Sequence, residues 1–253
     1  MDESAAIVHD RGVTWDPHGK SIGYWVRRHD GWHVGTEGVV RKAIGRPLEW
    51  VGGPILAANG TVGYCTRVAE SVHAVIGADR SDPYEAVGQI VFSPTGDHHA
   101  YKAQVDQRQF VVIDGERGQS GDASYSAVYN EHGTLDDMPA FSPSGGRVAY
   151  VAYLSGGSHV VDNGNLGKRY DAIIGSPVIP TDTAPTIFGA FRNKHEFVIV
   201  GTQELGPFDR VWSREKQEYY SIRWRPDIQN GELLFAATEG HRLVLYTAQV
   251  AMS

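Results

Sequence analysis

The sequence predicts an all-β fold: a six-bladed β-propeller of four-stranded antiparallel blades, forming a single domain over residues 1–253. Three observations support this prediction. The phrase "FSPTG" (Phe92–Gly96) recurs as "FSPSG" (Phe141–Gly145), and weaker copies extend the repeat to six units. The composition of 30 Gly, 12 Tyr and 6 Trp also suits short strands and tight turns. A chain of this length can bury a sizeable core.

The repeated phrase is a turn signal. Its proline presets φ at the second position of a turn, and its glycine supplies the permissive conformation further on. We therefore expect each copy to form the hairpin between the innermost and second strands of its blade. Its aromatic and proline residues should serve packing and turn formation rather than catalysis.

The first residue of this phrase recurs six times along the chain, with an average spacing of about 42 residues. These positions are Trp15, Leu56, Phe92, Phe141, Val178 and Trp224. Antiparallel units of about 40 to 45 residues are typical of propeller blades, which stack radially and bury both faces of each sheet.

A second phrase is interpreted as the fourth strand of each blade. Five copies are present: Pro47–Val51, Pro83–Val87, Ser124–Val128, Arg169–Ile173 and Pro207–Val211. The sixth unit has no copy, whereas an apolar stretch, Ser4–His9, precedes the first unit. We expect Ser4–His9 to pair with the C-terminal segment as the outermost strand of the last blade, which would close the ring and protect its edges.

The segment Phe141–Ile173, "FSPSGGRVAYVAYLSGGSHVVDNGNLGKRYDAI", resembles the repeat of TolB-like propellers, also called WD-like propeller repeats. Phe92–Val128 is similar. The resemblance implies a propeller but no particular activity, because that repeat family includes periplasmic interaction proteins, peptidase-associated propellers and enzymes. It provides no catalytic motif that could be transferred to this chain.

Charge and composition exclude several classes of function. The formal net charge of -7 and the absence of a Lys/Arg-rich run argue against nucleic-acid binding. No apolar run is long enough for a membrane span, and no signal peptide is visible, so the sequence predicts a soluble, cytoplasmic protein. The single cysteine, Cys65, has no partner for an intramolecular disulfide.

One face of the predicted propeller collects polar side chains. Counting along the second strands places Arg27, Arg67 and Arg192 at equivalent heights around the mouth of the ring, where they could clamp a carboxylate or phosphate. The alternative is that each arginine pairs with a nearby acid as a solvated rim. Trp32 and Tyr220 belong to loops of the same face and are further candidates for ligand binding.

Three histidines recur at the start of the third strands. His33, His73 and His159 occupy matching positions there, beside Phe110, Phe197 and Leu243 in the other units. Three histidines could bind a metal ion. Because two of the other units use phenylalanine, packing between blades is the preferred interpretation, and we predict neither a metal site nor a cofactor.

The segment Tyr129–Met138 is the candidate for acid-base chemistry. It lengthens the third unit and contains Glu131, His132 and Asp137, and a histidine beside carboxylates suits proton transfer. An acidic surface loop would have the same composition. Tyr153, at the end of a second strand, is the fourth candidate catalytic residue.

Two functions from different classes follow. The first is a binding module that holds a small anionic ligand or a partner protein on the polar face, without chemistry. The second is a small-molecule enzyme, such as a lyase, cyclase or hydrolase, with acid-base residues in the central mouth. The absence of any established catalytic motif favours the binding module.

Overall fold

The computed structural model describes residues 13–48, 53–106, 108–122, 138–154, 156–212 and 227–250. Within these ranges every regular element is a β-strand and every strand pairing is antiparallel, which confirms the predicted all-β class. Contacts divide the chain into two compact units. One comprises Met1–Arg117 with Ser126–Gly133, and the other comprises Gly118–Tyr125 with Thr134–Ser253.

Fourteen strands, named in chain order, form the first three sheets. Sheet A contains β1 (Val13–Trp15), β2 (Ile22–Arg28), β3 (Gly31–Thr36) and β4 (Val39–Lys42). In sheet B, β5 (Arg46–Pro47) and β6 (Ile55–Leu56) both pair with β7 (Val62–Val68), followed by β8 (Ser71–Ile76) and β9 (Asp79–Arg80). In sheet C, β10 (Ala86–Val87) and β11 (Val91–Phe92) both pair with β12 (His99–Val105), followed by β13 (Arg108–Ile113) and β14 (Glu116–Asp122).

Twelve further strands form three more sheets. Sheet D contains β15 (Ala140–Phe141), β16 (Val148–Leu154), β17 (Gly157–Asp162) and β18 (Asn165–Leu166). Sheet E contains β19 (Ala172–Val178), β20 (Ile187–Arg192), β21 (His195–Val200) and β22 (Gln203–Phe208). In sheet F, β23 (Arg210–Trp212) and β24 (Asp227–Gln229) both pair with β25 (Glu232–Glu239), which also pairs with β26 (Arg242–Gln249).

The repeated phrase forms the predicted hairpin. Phe92 pairs with His99, and Phe141 pairs with Val148, so each phrase joins the first strand of its sheet to the second. Gly96 donates its N–H to Ser93 O at 2.9 Å with a φ of 83°, a conformation that glycine adopts without strain. The same turn follows Trp15 in sheet A, where the N–H of Gly19 donates to Asp16 O at 3.0 Å.

The interpretation of the second phrase as a fourth strand is wrong in its boundaries. Tyr84 bridges Val72 of sheet B, but Ala86–Val87 already pairs with β12 of sheet C. Arg169–Ile173 and Pro207–Val211 divide in the same way: Tyr170 and Phe208 pair with one sheet, and the residues that follow pair with the next. In Pro47–Val51, Pro47 itself pairs with β7. These phrases are therefore crossovers between sheets, whereas Ser124–Val128 lies outside the described residues.

Consecutive sheets bury their faces against each other within each unit. Sheets A and B share a core of Trp25, Val34, Ala43, Tyr64 and Val75. Sheets B and C share a larger one that includes Cys65, Val72, Tyr101 and Val112. In the second unit, sheets D and E pack around Tyr170, Phe188 and Ile199, and sheets E and F around Ile187, Phe208, Leu233 and Phe235. Such face-to-face stacking of four- and five-stranded antiparallel sheets agrees with the packing expected of propeller blades.

Candidate functional site

Four of the predicted site residues lie outside the described residues: Glu131, His132, Asp137 and Tyr220. Their proposed roles in acid-base chemistry and ligand binding stay predictions. Tyr153 lies within β16, half-buried and opposite Ser158 of β17. Tyr153 and Ser158 form the second pair from the turn of their hairpin, as Arg27 and Trp32 do in sheet A. Tyr153 therefore lies at the same height in sheet D as Arg27 does in sheet A.

Arg27 and Trp32 form a stacked pair at one end of sheet A. They lie directly opposite each other on β2 and β3. The guanidinium carbon of Arg27 is 5.1 Å from the centroid of the Trp32 ring, a cation–π distance. Arg27 is exposed and makes no ion pair with a described residue. The Trp32 indole N–H is buried without a described acceptor. The pair therefore presents one uncompensated cation in a fixed orientation.

Arg67 lies opposite a second arginine that was not identified from the sequence. Arg46, on β5, lies directly opposite Arg67 on β7, so both side chains leave the same face of sheet B. This face also contains Cys65 and Val72 of the shared core with sheet C. Neither arginine makes an ion pair with a described residue. Two unpaired guanidinium groups on opposite strands are an electrostatic cost, since like charges directly opposite destabilise a sheet.

Neither Glu85 nor Glu70 makes a described ion pair with Arg46 or Arg67. Glu85, just before β10, accepts hydrogen bonds from the backbone N–H of Asp106 at 2.9 Å and from Gln104 Nε2 at 3.1 Å. Glu70, in the turn between β7 and β8, is exposed and forms no ion pair with a described residue. The pair Arg46–Arg67 thus keeps its positive charge.

The predicted equivalence of Arg192 with Arg27 and Arg67 is wrong. Arg27 and Arg67 each occupy the second pair of their hairpin, opposite Trp32 and Val72. In sheet E this position belongs to Phe191, while Arg192 occupies the first pair, opposite His195. Because side chains alternate between the two faces of a strand, this one-residue shift places Arg192 on the other face of its sheet.

Arg192 is also fully engaged by Glu204. Its Nη2 and Nη1 atoms donate to Glu204 Oε2 and Oε1 at 2.8 and 3.0 Å. Lys168 Nζ lies 2.8 Å from Oε1, and the Tyr170 hydroxyl donates to the same oxygen at 2.9 Å. The Arg192 guanidinium, followed by Lys168, lowers the pKa of Glu204 to about 2. This cluster serves the structure of the second unit and leaves no cation for a ligand.

The recurrent histidines of the third strands connect neighbouring strands. His73 Nδ1 lies 2.9 Å from Ser81 O, and His159 Nδ1 lies 2.9 Å from Gly167 O, eight residues later in both cases. His33 Nε2 lies instead 3.6 Å from Asp30 Oδ1. Leu243 is the residue predicted at the matching third-strand position of the sixth unit. It is one residue out of register, because Val244 occupies the matching pair in sheet F.

A histidine-carboxylate cluster at the turns of sheet C was not identified from the sequence. His98 Nδ1 lies 2.7 Å from Asp114 Oδ2, and His99 Nδ1 lies 3.4 Å from Asp114 Oδ1. The His99 ring also stacks on Tyr101 with an interplanar angle of 8°. The sequence signal that could have found this cluster is the separation between Asp114 and the two histidines, which is about the length of one hairpin.

The His99 cluster predicts a loss of stability in mild acid. Burial lowers the pKa of His99 below its ordinary value of 6.5, although Asp114 opposes the shift and His98 adds to it. Folding therefore favours the neutral His99 ring. The stability that this preference contributes is complete above about pH 6.5 and is lost as the pH falls through the lower pKa of the folded state. The melting temperature of His99→Gln should fall less between about pH 7 and pH 5 than that of the wild type. His18→Gln, in the exposed turn of sheet A, is the control, and equal pH profiles for all three proteins would contradict the assignment.

No protein-family model matches the chain, and no curated protein sequence matches it. Solved structures do. TolB from Acinetobacter baumannii is 13% identical with a TM-score of 0.37, covering 94% of this chain and 60% of its own. The β-propeller domain of the Trilobed protease from Pyrococcus furiosus is 8% identical with a TM-score of 0.42, covering 94% and 83%. The β-propeller domain of Cps50 (Swd1) from Myceliophteria thermophila is 12% identical with a TM-score of 0.39, covering 94% and 84%.

The chain is thus similar to TolB-like and WD-like β-propellers at low identity. It spans 60% of the length of TolB. At these identities the likeness concerns the fold and not the activity. Among the described residues, no helix has the length and apolar character needed to cross a bilayer.

Proposed function

We propose that this chain is a β-propeller module that binds a small anionic ligand, such as a phosphate or a compact carboxylate, at Arg46 and Arg67. The observation that carries the proposal is the direct opposition of these two arginines on β5 and β7 without a described counter-ion. An anion between them would remove the repulsion and accept several charge-assisted hydrogen bonds. Arg192, bound to Glu204, is no longer part of the clamp.

Arg27 supports the same site electrostatically. Arg27 occupies the equivalent pair in the neighbouring sheet A, and sheets A and B share a common core. Its charge therefore adds to the positive potential at this end of the strands. The Arg27 side chain extends from sheet A toward sheet B. The Arg67 side chain extends from the face of sheet B that is turned away from sheet A. Arg27 is therefore a steering residue, while Arg46 and Arg67 contact the ligand.

The proposal predicts a specific response to inorganic phosphate. At constant ionic strength, phosphate at about 100 times its dissociation constant should add about 2.7 kcal/mol to the stability of the wild type. For a chain of this size, each 1 kcal/mol raises the melting temperature by roughly 2 to 4 °C. Arg46→Gln and Arg67→Gln should abolish this shift, and each variant should melt no lower than the wild type without anion, because repulsion has been removed.

Arg28→Gln is the matched control, because Arg28 is exposed on the same hairpin as Arg27 but on the other face of sheet A. It should retain the phosphate response. The proposal fails if the wild type shows no response, or if the Arg67→Gln variant responds as strongly as the wild type.

We further propose that the six sheets are six blades and that Ser4–His9 supplies the missing outer strand of sheet F. Sheets A to E each continue to a strand beyond their third, whereas β26 has no such neighbour among the described residues. Leu243 and Leu245, on the face of β26 opposite to Tyr246, are 69% and 72% exposed, so this face of β26 has an uncovered apolar surface as well. An apolar N-terminal strand would cover this edge. The predicted cytoplasmic location and the absence of nucleic-acid binding stay predictions.

A further inference from the structure

A cleft of about 540 Å³ separates the outer parts of sheets A and B. Its walls come from β3 and β4 on one side and from β7 with two turns of sheet B on the other. Near Trp25 the two sheets are in contact through the shared core, and they diverge toward the turns at Asn59–Thr61 and Gly77–Ala78. A volume of this size lies within the range of small-molecule sites.

The cleft contains one uncompensated cation. Arg41 on β4 lies opposite Val34 on β3, and Val34 belongs to the core with sheet B, so the Arg41 side chain leaves the face that lines the cleft. Arg41 makes no ion pair with a described residue. Lys42 also lines the cleft, but Asp30 lies 3.4 Å from its Nζ and balances it.

The floor is apolar with one polar donor. Val34, Ile44 and Val62 contribute aliphatic surface, and Tyr64 contributes its ring. The Tyr64 hydroxyl accepts the N–H of Ile44 at 3.0 Å, which leaves its own proton without a described acceptor. Burial raises the pKa of Tyr64, so the phenol stays protonated at neutral pH and can donate to a ligand. The residue is 5% exposed, which makes this a buried, unused donor.

One turn at the rim of the cleft is hydrogen-bonded to the neighbouring sheet without any ligand. Asn59 accepts the N–H of Thr61 at 2.9 Å and donates through Nδ2 to Gly96 O of the next sheet at 2.8 Å. The turn is thereby tied to sheet C. A preformed wall reduces the ordering cost of binding.

We propose that this cleft binds a small carboxylate with a planar apolar body, a second ligand class at a place separate from Arg46 and Arg67. One unpaired guanidinium matches a monoanion, with which it can form a bidentate pair. The aliphatic floor and the Tyr64 ring match the apolar body, and the Tyr64 hydroxyl donates to a carboxylate oxygen. The site uses a different arginine from the proposed phosphate site and opens at the other end of β7, so either proposal can fail without the other.

The test is a calorimetric titration of the full chain with 2-naphthoate and its neutral analogue 2-naphthamide at constant ionic strength. We expect the wild type to bind the carboxylate about tenfold more tightly than the amide, which corresponds to about 1.4 kcal/mol. Arg41→Gln should remove this preference, and Arg41→Lys should restore part of it. Arg28→Gln is the control and should bind as the wild type does.

Folding of each variant is checked by its melting temperature, and Arg41 is exposed, so these substitutions should leave it unchanged. Two results would overturn the proposal. The first is an absence of saturable naphthoate binding by the wild type up to about 1 mM, the weak end of specific affinity. The second is an unchanged preference for the carboxylate in Arg41→Gln.

Discussion

Deletion of Met1–Asp10 is expected to lower the melting temperature of the whole chain by well over the roughly 2 to 4 °C that corresponds to 1 kcal/mol. The expected cause is the loss of the strand that we propose for the edge of β26, which would leave the backbone N–H and C=O groups on that side of β26 unpaired. Differential scanning calorimetry of the truncated and full-length chains measures the effect.

The matched control for this deletion is the removal of Met1–Glu3 alone, which spares the apolar stretch and should cost almost nothing. A truncated chain without Met1–Asp10 that melts within about one degree of the full-length protein contradicts the proposed closure. Increased self-association of the truncated chain would agree with it, because an uncovered strand edge pairs readily with another chain.

Glu204→Gln should have the second large effect. The substitution leaves Arg192 and Lys168 without their common carboxylate in a half-buried site. Loss of hydrogen bonds to charged groups should cost about 2 kcal/mol, a fall in the melting temperature of about 4 to 8 °C. Glu232→Gln, an exposed acid whose side chain accepts only from Gln249 Nε2 in the described hydrogen bonds, should change it little.

The pH dependence of this difference has a definite sign. The folded-state pKa of Glu204 is lowered from 4.5 to about 2, mainly by Arg192. Its stabilising contribution is therefore complete above about pH 4.5 and is lost as the pH falls toward 2. The gap between wild type and Glu204→Gln should narrow below about pH 4.5, and a gap that stays constant into acid would contradict the ionic origin.

Local sequence signals predicted the all-β class and the positions of the hairpin turns. The turns after Trp15, Leu56, Phe92 and Phe141 depend on residues within a few positions of each other, and each joins the first and second strands as expected. The crossover phrases were misassigned because each of them contains the end of one sheet and the beginning of the next. Tyr84 closes sheet B, and only two residues later Ala86 begins the pairing of sheet C.

The candidate site was harder to predict because its decisive contacts are not local. Counting residues placed Arg192 beside Arg27 and Arg67, and a one-residue error in register reversed its face. Arg46 was missed because it belongs to a two-residue strand that meets Arg67 only through pairing across 21 positions of the chain. Glu204, which neutralises Arg192, comes from a separate strand. Residues outside the described ranges, such as His132, stay predictions.

The most direct test of the anion-binding account is a crystal of the full chain soaked in selenate, a tetrahedral oxyanion like phosphate that is identified by its anomalous scattering. The account predicts an anomalous peak between the guanidinium groups of Arg46 and Arg67, within hydrogen-bond reach of both, and no such peak in Arg67→Gln crystals soaked identically. An Arg46–Arg67 pair without selenate, with both guanidinium groups bound instead to carboxylates of the chain itself, would contradict it.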